Sequence, residues 1–201
     1  APITTRVFDP ATRQMPVVNP LLQRTSLGYD GGNRQVRVQN GLGFISTSVY
    51  DQANRTTAQV DALGNRTSFG YDRNGNAVRR VNPLGKIWTS VFDAANRLVA
   101  SVDPLLNRTS TVYDRAGRGT ARINPLGRRW STVYDMVNRP VASVDPLGNR
   151  NTTVYDAVNR TVADVNALGN RSTTVYDLAD RAIASINPLG RRWTSVFDAA
   201  N

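Results

Sequence analysis

Apolar and polar positions along this chain alternate with a period of two in short stretches, each closed by a turn signal. Residues 97–102 and 108–113 are typical stretches. They are rich in Val, Thr and Ser, hold no interior Pro and suit strands. Two turn signals separate such stretches. The first, at residues 51–55 and 114–118, reads Asp-x-x-Asn/Gly-Arg, where the carboxylate caps the turn and Asn or Gly takes a left-handed conformation. The second, at residues 82–85, 124–127, 145–148 and 187–190, reads Asn/Asp-Pro-Leu-Gly. Pro presets its second position, and Gly at the fourth closes a type I turn into a bulge. Leu22 and Leu106 stand where that Gly is expected.

The pattern is strictly periodic. An aromatic-Asp pair returns every 21 residues from Phe8-Asp9 to Phe197-Asp198, without a slip. With the aromatic as position 1, the unit reads Tyr-Asp-x-x-Asn-Arg-x-Val-Ala-x-Val-Asn/Asp-Pro-Leu-Gly-Asn-Arg-Thr-Ser-Thr-Val. A period in this range marks units that bury their apolar face by stacking on neighbours. The expected fold is all-β: tandem 21-residue β-hairpin repeats in one continuous antiparallel meander, wound by strand twist into a spiral tube or shell. Residues 1–201 are expected to form a single uninterrupted array of about nine and a half repeats, an excerpt of a longer repeat protein. At ~4.8 Å per strand, about 19 strands would make a ribbon of about 90 Å. A parallel β-helix with one coil per repeat stays open as a rival, although two dissimilar tight turns favour hairpins.

The Tyr-Asp-x-x-Gly/Asn-Arg core resembles the YD-repeat family, also called RHS repeats, of bacterial wall-associated proteins, toxin shells and animal teneurins. Residues 113–118 match its pattern in full, and residues 50–55, 92–97 and 155–160 carry Asn in place of Gly. The resemblance implies a long ribbon of hairpins spiralling into a shell or tube, often hollow around cargo. Toxin arrays of the family have irregular repeat lengths and a distinct processing domain. Here the spacing is invariant, and the Asp-Pro-Leu-Gly at residues 145–148 reads as a turn.

Composition narrows the chemistry. The chain holds no Cys, His or Glu, which removes thiolate and imidazole metal sites and the usual general bases. No catalytic, cofactor-binding or metal-ligating residue is nominated, and the protein is expected not to be an enzyme. Asp at position 2 and Arg at position 6, replaced once by Asn76, read as turn caps and ion pairs, with calcium on the Asp rows as the alternative. The net charge of +10 is almost wholly Arg against Asp, with Lys86 the one lysine, and is spread along the array; nucleic-acid binders more often concentrate it. Arg at position 17 (Arg24, Arg66, Arg108, Arg129, Arg150, Arg171, Arg192) forms a row suited to solvent or to an anionic polymer. Trp88, Trp130 and Trp193 share a face with the position-1 aromatics, as packing or as sugar platforms. That aromatic face is expected to be the packed one, with the Arg row opposite.

Six Asn-x-Ser/Thr sequons, at Asn54, Asn65, Asn107, Asn151, Asn159 and Asn170, and the Thr/Ser rows are candidate glycosylation sites. Asp61, Asp103 and Asp145 at position 12 precede Asn65, Asn107 and Asn149 at position 16, whereas Asn82, Asn124 and Asn187 precede Lys86, Arg128 and Arg191. Charge compensation would give the opposite association, which points to growth by duplication of multi-repeat blocks. No run of 18 apolar residues suits a membrane span. The expected function is a secreted or surface-exposed structural β-spiral tube or fibre. A cargo-enclosing toxin shell and a carbohydrate- or polyanion-binding adhesin are the alternatives. Expected partners are further copies of the repeat along a longer chain, self-assembled fibres, and glycans or anionic polysaccharide rather than nucleic acid.

Overall fold

The computed structural model describes residues 5–10, 14–19, 21 and 23–198. It gathers into two units, residues 1–107 and 108–201. The first contains β1 (Thr5–Phe8), β2 (Gln14–Val18), β3 (Arg24–Tyr29), β4 (Gln35–Gln39), β5 (Ile45–Tyr50), β6 (Thr56–Val60), β7 (Arg66–Tyr71), β8 (Ala77–Val81), β9 (Ile87–Phe92) and β10 (Leu98–Val102). Each pairs antiparallel with the next. The second contains β11 (Arg108–Tyr113), β12 (Gly119–Ile123), β13 (Arg129–Tyr134), β14 (Pro140–Val144), β15 (Arg150–Tyr155), β16 (Thr161–Val165), β17 (Arg171–Tyr176), β18 (Ala182–Ile186) and β19 (Arg192–Thr194), paired in the same way. No helix occurs among the described residues. Antiparallel neighbours rule out the β-helix rival, whose coils would pair in parallel.

The two turn signals differ in sequence and agree in geometry. In the first, Asp51 N–H donates to the Arg55 carbonyl at 3.0 Å and Asn54 N–H to the Asp51 carbonyl at 3.2 Å. In the second, the Asn124 and Gly127 amides donate to the Arg128 and Asn124 carbonyls at 2.9 and 3.0 Å. The fourth residue of each turn is left-handed: φ is +61° at Asn54, +74° at Gly127 and +67° at Leu106. Leu22 lies outside the described residues. A Cβ on Gly127 would meet nothing within 4 Å, so the cost of a side chain there is backbone strain. Gly127→Val is therefore expected to destabilise by about 1 kcal/mol or more, and Leu106→Gly to stabilise by a similar amount, in urea unfolding. Equal stability of both variants and the parent would refute this account.

One feature of the first-turn hairpins was not legible in the spacing. Their register shifts between positions 7 and 9, as between Val112 and Tyr113 against Ala121 and Gly119, which leaves position 8 as a bulge. Second-turn hairpins pair without a break. Pro140 is tolerated at position 7 because it opens β14 at the bulge, where the ladder is already interrupted.

The buried residues among those described are six alanines at position 9: Ala58, Ala100, Ala121, Ala142, Ala163 and Ala184. Each lies opposite position 21 of the preceding strand, and within a unit also opposite position 19 of the following one, as Ala121 lies opposite Val112 and Ser131. They thus share a face with the position-17 arginines, not with the aromatics. The expected packed aromatic face is half-buried, and the tightest packing is on the other side. Over residues 49–184, each Val at position 21 faces Ala at position 9, as Val112 faces Ala121; where position 21 is Gly28 or Gly70, position 9 is Arg37 or Arg79, and the first hairpin has Val7 with Pro16. A Cβ on Gly28 would come within 3.1 Å of the Arg37 Cβ, and one on Gly70 within 3.3 Å of the Arg79 Cβ. Large faces small across the strands in both arrangements.

Candidate functional site

Asp at position 2 is the hub of each first turn. In Asp51, Oδ1 accepts the N–H groups of Ala53 and Arg55, both at 2.9 Å, while Oδ2 accepts Arg55 Nε at 2.8 Å. The Arg55 backbone N–H, followed by its guanidinium, holds the Asp51 carboxyl below its ordinary value against the opposing effect of desolvation. The same hub recurs at Asp30, Asp93, Asp114, Asp135, Asp156 and Asp177. These carboxylates are engaged by their own turns, which argues for the capping role over a calcium ladder; no group of three acidic or other metal-ligating side chains clusters among the described residues.

The arginine also reaches forward one repeat. Arg139 Nη1 donates to the Asp156 carbonyl at 3.1 Å and to Asn159 Oδ1 at 2.8 Å, while its guanidinium lies 4.7 Å from the Tyr155 ring centroid. Arg34, Arg55, Arg118 and Arg160 stack in the same way on Tyr50, Tyr71, Tyr134 and Tyr176. The stacked phenol reports back: Tyr155 and Tyr71 hydroxyls donate to the position-7 carbonyls of Pro140 and Thr56 in the preceding repeat. At the exception, Asn76 Nδ2 bonds both Asp72 Oδ2 and Asn96 Oδ1. The links to its own aspartate and to the next turn's Asn survive there without the carbonyl bond, and the next aromatic is Phe92, which has no hydroxyl.

Second turns use the same hub without the arginine. Asp145 Oδ1 accepts from the Leu147 and Asn149 amides, and Oδ2 from Asn149 Nδ2 at 2.7 Å. The amide of Asn149, ahead of its backbone N–H, lowers the carboxyl's proton affinity despite desolvation. Asp at 12 with Asn at 16 is thus an acceptor-donor pair, repeated at Asp61–Asn65 and Asp103–Asn107. Asn at 12 makes the same backbone cap through Oδ1, as Asn124 does, and leaves Arg128 exposed.

The remaining sequence candidates scatter. Position-17 arginines are exposed and run along their own strands, as Arg129 Nε donates to Ser131 Oγ at 3.0 Å. Trp88 is half-buried beneath Arg80, at 5.1 Å, whereas Trp130 and Trp193 are exposed. Of the sequons, Asn54 and Asn159 sit at the left-handed turn position and accept an arginine, Asn65 and Asn107 are tied to aspartates, and the Asn151 side chain accepts the Ala167 amide. Asn170 is exposed at the end of its turn.

The RHS Repeat family model matches residues 50–87 and 71–108. Among curated proteins, none matches in sequence. Among solved structures, the crystal structure of TcdB2-TccC3 is 12% identical over 94% of this chain, with a TM-score of 0.54. The Tc holotoxin pore of Photorhabdus luminescens is 12% identical over 92% of the chain, with a TM-score of 0.41. The chain spans 15% and 14% of the length of those two chains. The first likeness is one of fold.

Proposed function

From the premise that this chain carries RHS repeats, matched over residues 50–108 and continued in the same 21-residue register on either side, we propose that it is a non-enzymatic structural wall segment of a larger secreted or cell-surface protein. The observation that supports this best is the forward arginine. Arg118, Arg139 and Arg160 each grip the next repeat through the same stack and the same carbonyl bond, so the side chains most regular in this array serve continuity. A spiral tube or fibre built from further copies of the repeat is the leading form. A cargo-enclosing shell is the second reading, favoured by the fold likeness to TcdB2-TccC3.

Variants lengthened or shortened by whole repeats test the proposal. The thermal midpoint is expected to rise with repeat number and then level off, as nearest-neighbour coupling requires. A midpoint indifferent to repeat number would overturn the wall reading. Electron microscopy of the longest variants separates the two forms: particles that lengthen steadily support the fibre, and hollow particles of limited outline support the shell.

A further inference from the structure

The second turns of residues 108–198 combine two properties that a wall does not require. Their tips are apolar: Leu126, Leu147, Leu168 and Leu189 are 77%, 87%, 85% and 78% exposed. Leu holds that third turn position in all nine second turns of the chain, although a type I turn accepts polar residues there. Directly behind these tips lie the exposed Arg128, Arg129, Arg150, Arg171, Arg191 and Arg192. Asp145 is the one carboxylate of the four turns, and three donors of its own turn occupy it. At the opposite ends of the strands, by contrast, Arg118, Arg139, Arg160 and Arg181 are each neutralised by an aspartate. Positive charge that looks evenly spread in the sequence is therefore segregated to one edge.

We propose that this edge docks on the surface of an anionic phospholipid bilayer. The layering fits that occupant. Leucine tips project past the arginines by roughly one or two residues of strand, ~3–7 Å, which sets the apolar groups at the acyl boundary when the guanidiniums meet the headgroup phosphates. A second copy of the same edge is disfavoured because six arginines would face six. A hydrophilic polyanion would satisfy the arginines and leave the leucines in water. The second turns of residues 40–87 supply a built-in comparison. They carry the same leucines but place Ile45 and Ile87 where Arg129 and Arg192 stand, so fewer cations back them.

The test uses the full chain with vesicles of phosphatidylserine in phosphatidylcholine, against phosphatidylcholine alone, read by co-sedimentation. The parent is expected to bind the anionic vesicles, less so in high salt. Combined Leu126→Ser, Leu147→Ser, Leu168→Ser and Leu189→Ser is expected to weaken binding by about tenfold or more with the thermal midpoint unchanged. Combined Leu42→Ser, Leu63→Ser and Leu84→Ser is expected to weaken it much less. No binding by the parent overturns the inference, as does undiminished binding by the four-leucine variant. Preference for heparin over the vesicles, insensitive to the leucines, also overturns it and assigns the edge to an acidic polysaccharide. None of these outcomes bears on the wall reading, which the repeat-number series tests separately.

Discussion

Ala121→Arg should destabilise the protein by about 2 kcal/mol or more, and adding Val112→Gly should recover most of the loss. Ala121 is 6% exposed and sits directly across from Val112, so a long side chain there must displace its neighbour or leave its rotamer, an overpacking cost of roughly 1–3 kcal/mol. The chain already contains the compensated arrangement: Arg79 occupies position 9 opposite Gly70, with Val81 two residues on, as Ile123 follows Ala121. Removing the Val112 side chain recreates that clearance. Urea unfolding of both single variants and the double variant gives the coupling, expected to exceed about 1 kcal/mol for directly opposed residues. Additive effects would show that position 9 tolerates size without regard to position 21. Gly70→Val supplies the mirror experiment, with Arg79→Ala as its rescue.

Acid should unfold the array in one narrow range below the usual carboxylate pKa of 3.8. Eleven described aspartates, including Asp30, Asp61, Asp103 and Asp177, are held below that value. The leading cause differs by turn: at Asp30 it is the Arg34 backbone N–H, and at Asp61 the Asn65 side-chain amide. A carboxyl whose folded pKa is depressed contributes stability that is fully present above its unfolded pKa and lost as pH falls through the folded one. Stability should thus be flat from neutral pH down to about 4 and then fall steeply, because many equivalent hubs protonate together. Circular dichroism in the strand region during acid titration reads the transition. A gradual loss beginning near neutral pH would contradict the hub geometry.

How much of this was legible beforehand depends on the range of the interaction. The hairpins, the antiparallel order and the left-handed Asn or Gly at each turn were readable because the residues concerned lie within five positions of one another. Position 8 gave no such cue: Val, Thr and Ile there resemble any strand residue, and the bulge arises from pairing with the previous strand. The packed face was misjudged because aromatic bulk suggested burial, whereas small alanines fit deepest into a single layer of strands. Charge segregation was hidden too. Arg at positions 6 and 17 is alike in sequence, and the fold sends the two to opposite ends of the strands, one beside Asp and the other beside Leu. The Asp-Asn pairs are donor-acceptor pairs inside one turn, a contact that a count of charges along the sequence does not show.

The forward reach of the arginine also has a kinetic side. Sheet proteins usually fold slowly because strands must find partners far along the chain. Here Arg139 meets the Asp156 carbonyl 17 residues on and Asn159 20 residues on, and within each unit every strand pairs with its immediate successor. The reach runs from earlier residues to later ones. A repeat leaving the ribosome therefore meets an anchor that has already been made, and at roughly 5–20 residues per second each new hairpin has about one to four seconds before the next emerges. That interval exceeds hairpin formation by several orders of magnitude. The ladder can close from its first repeat onward while the chain is still being synthesised, with little unpaired strand edge exposed at any moment.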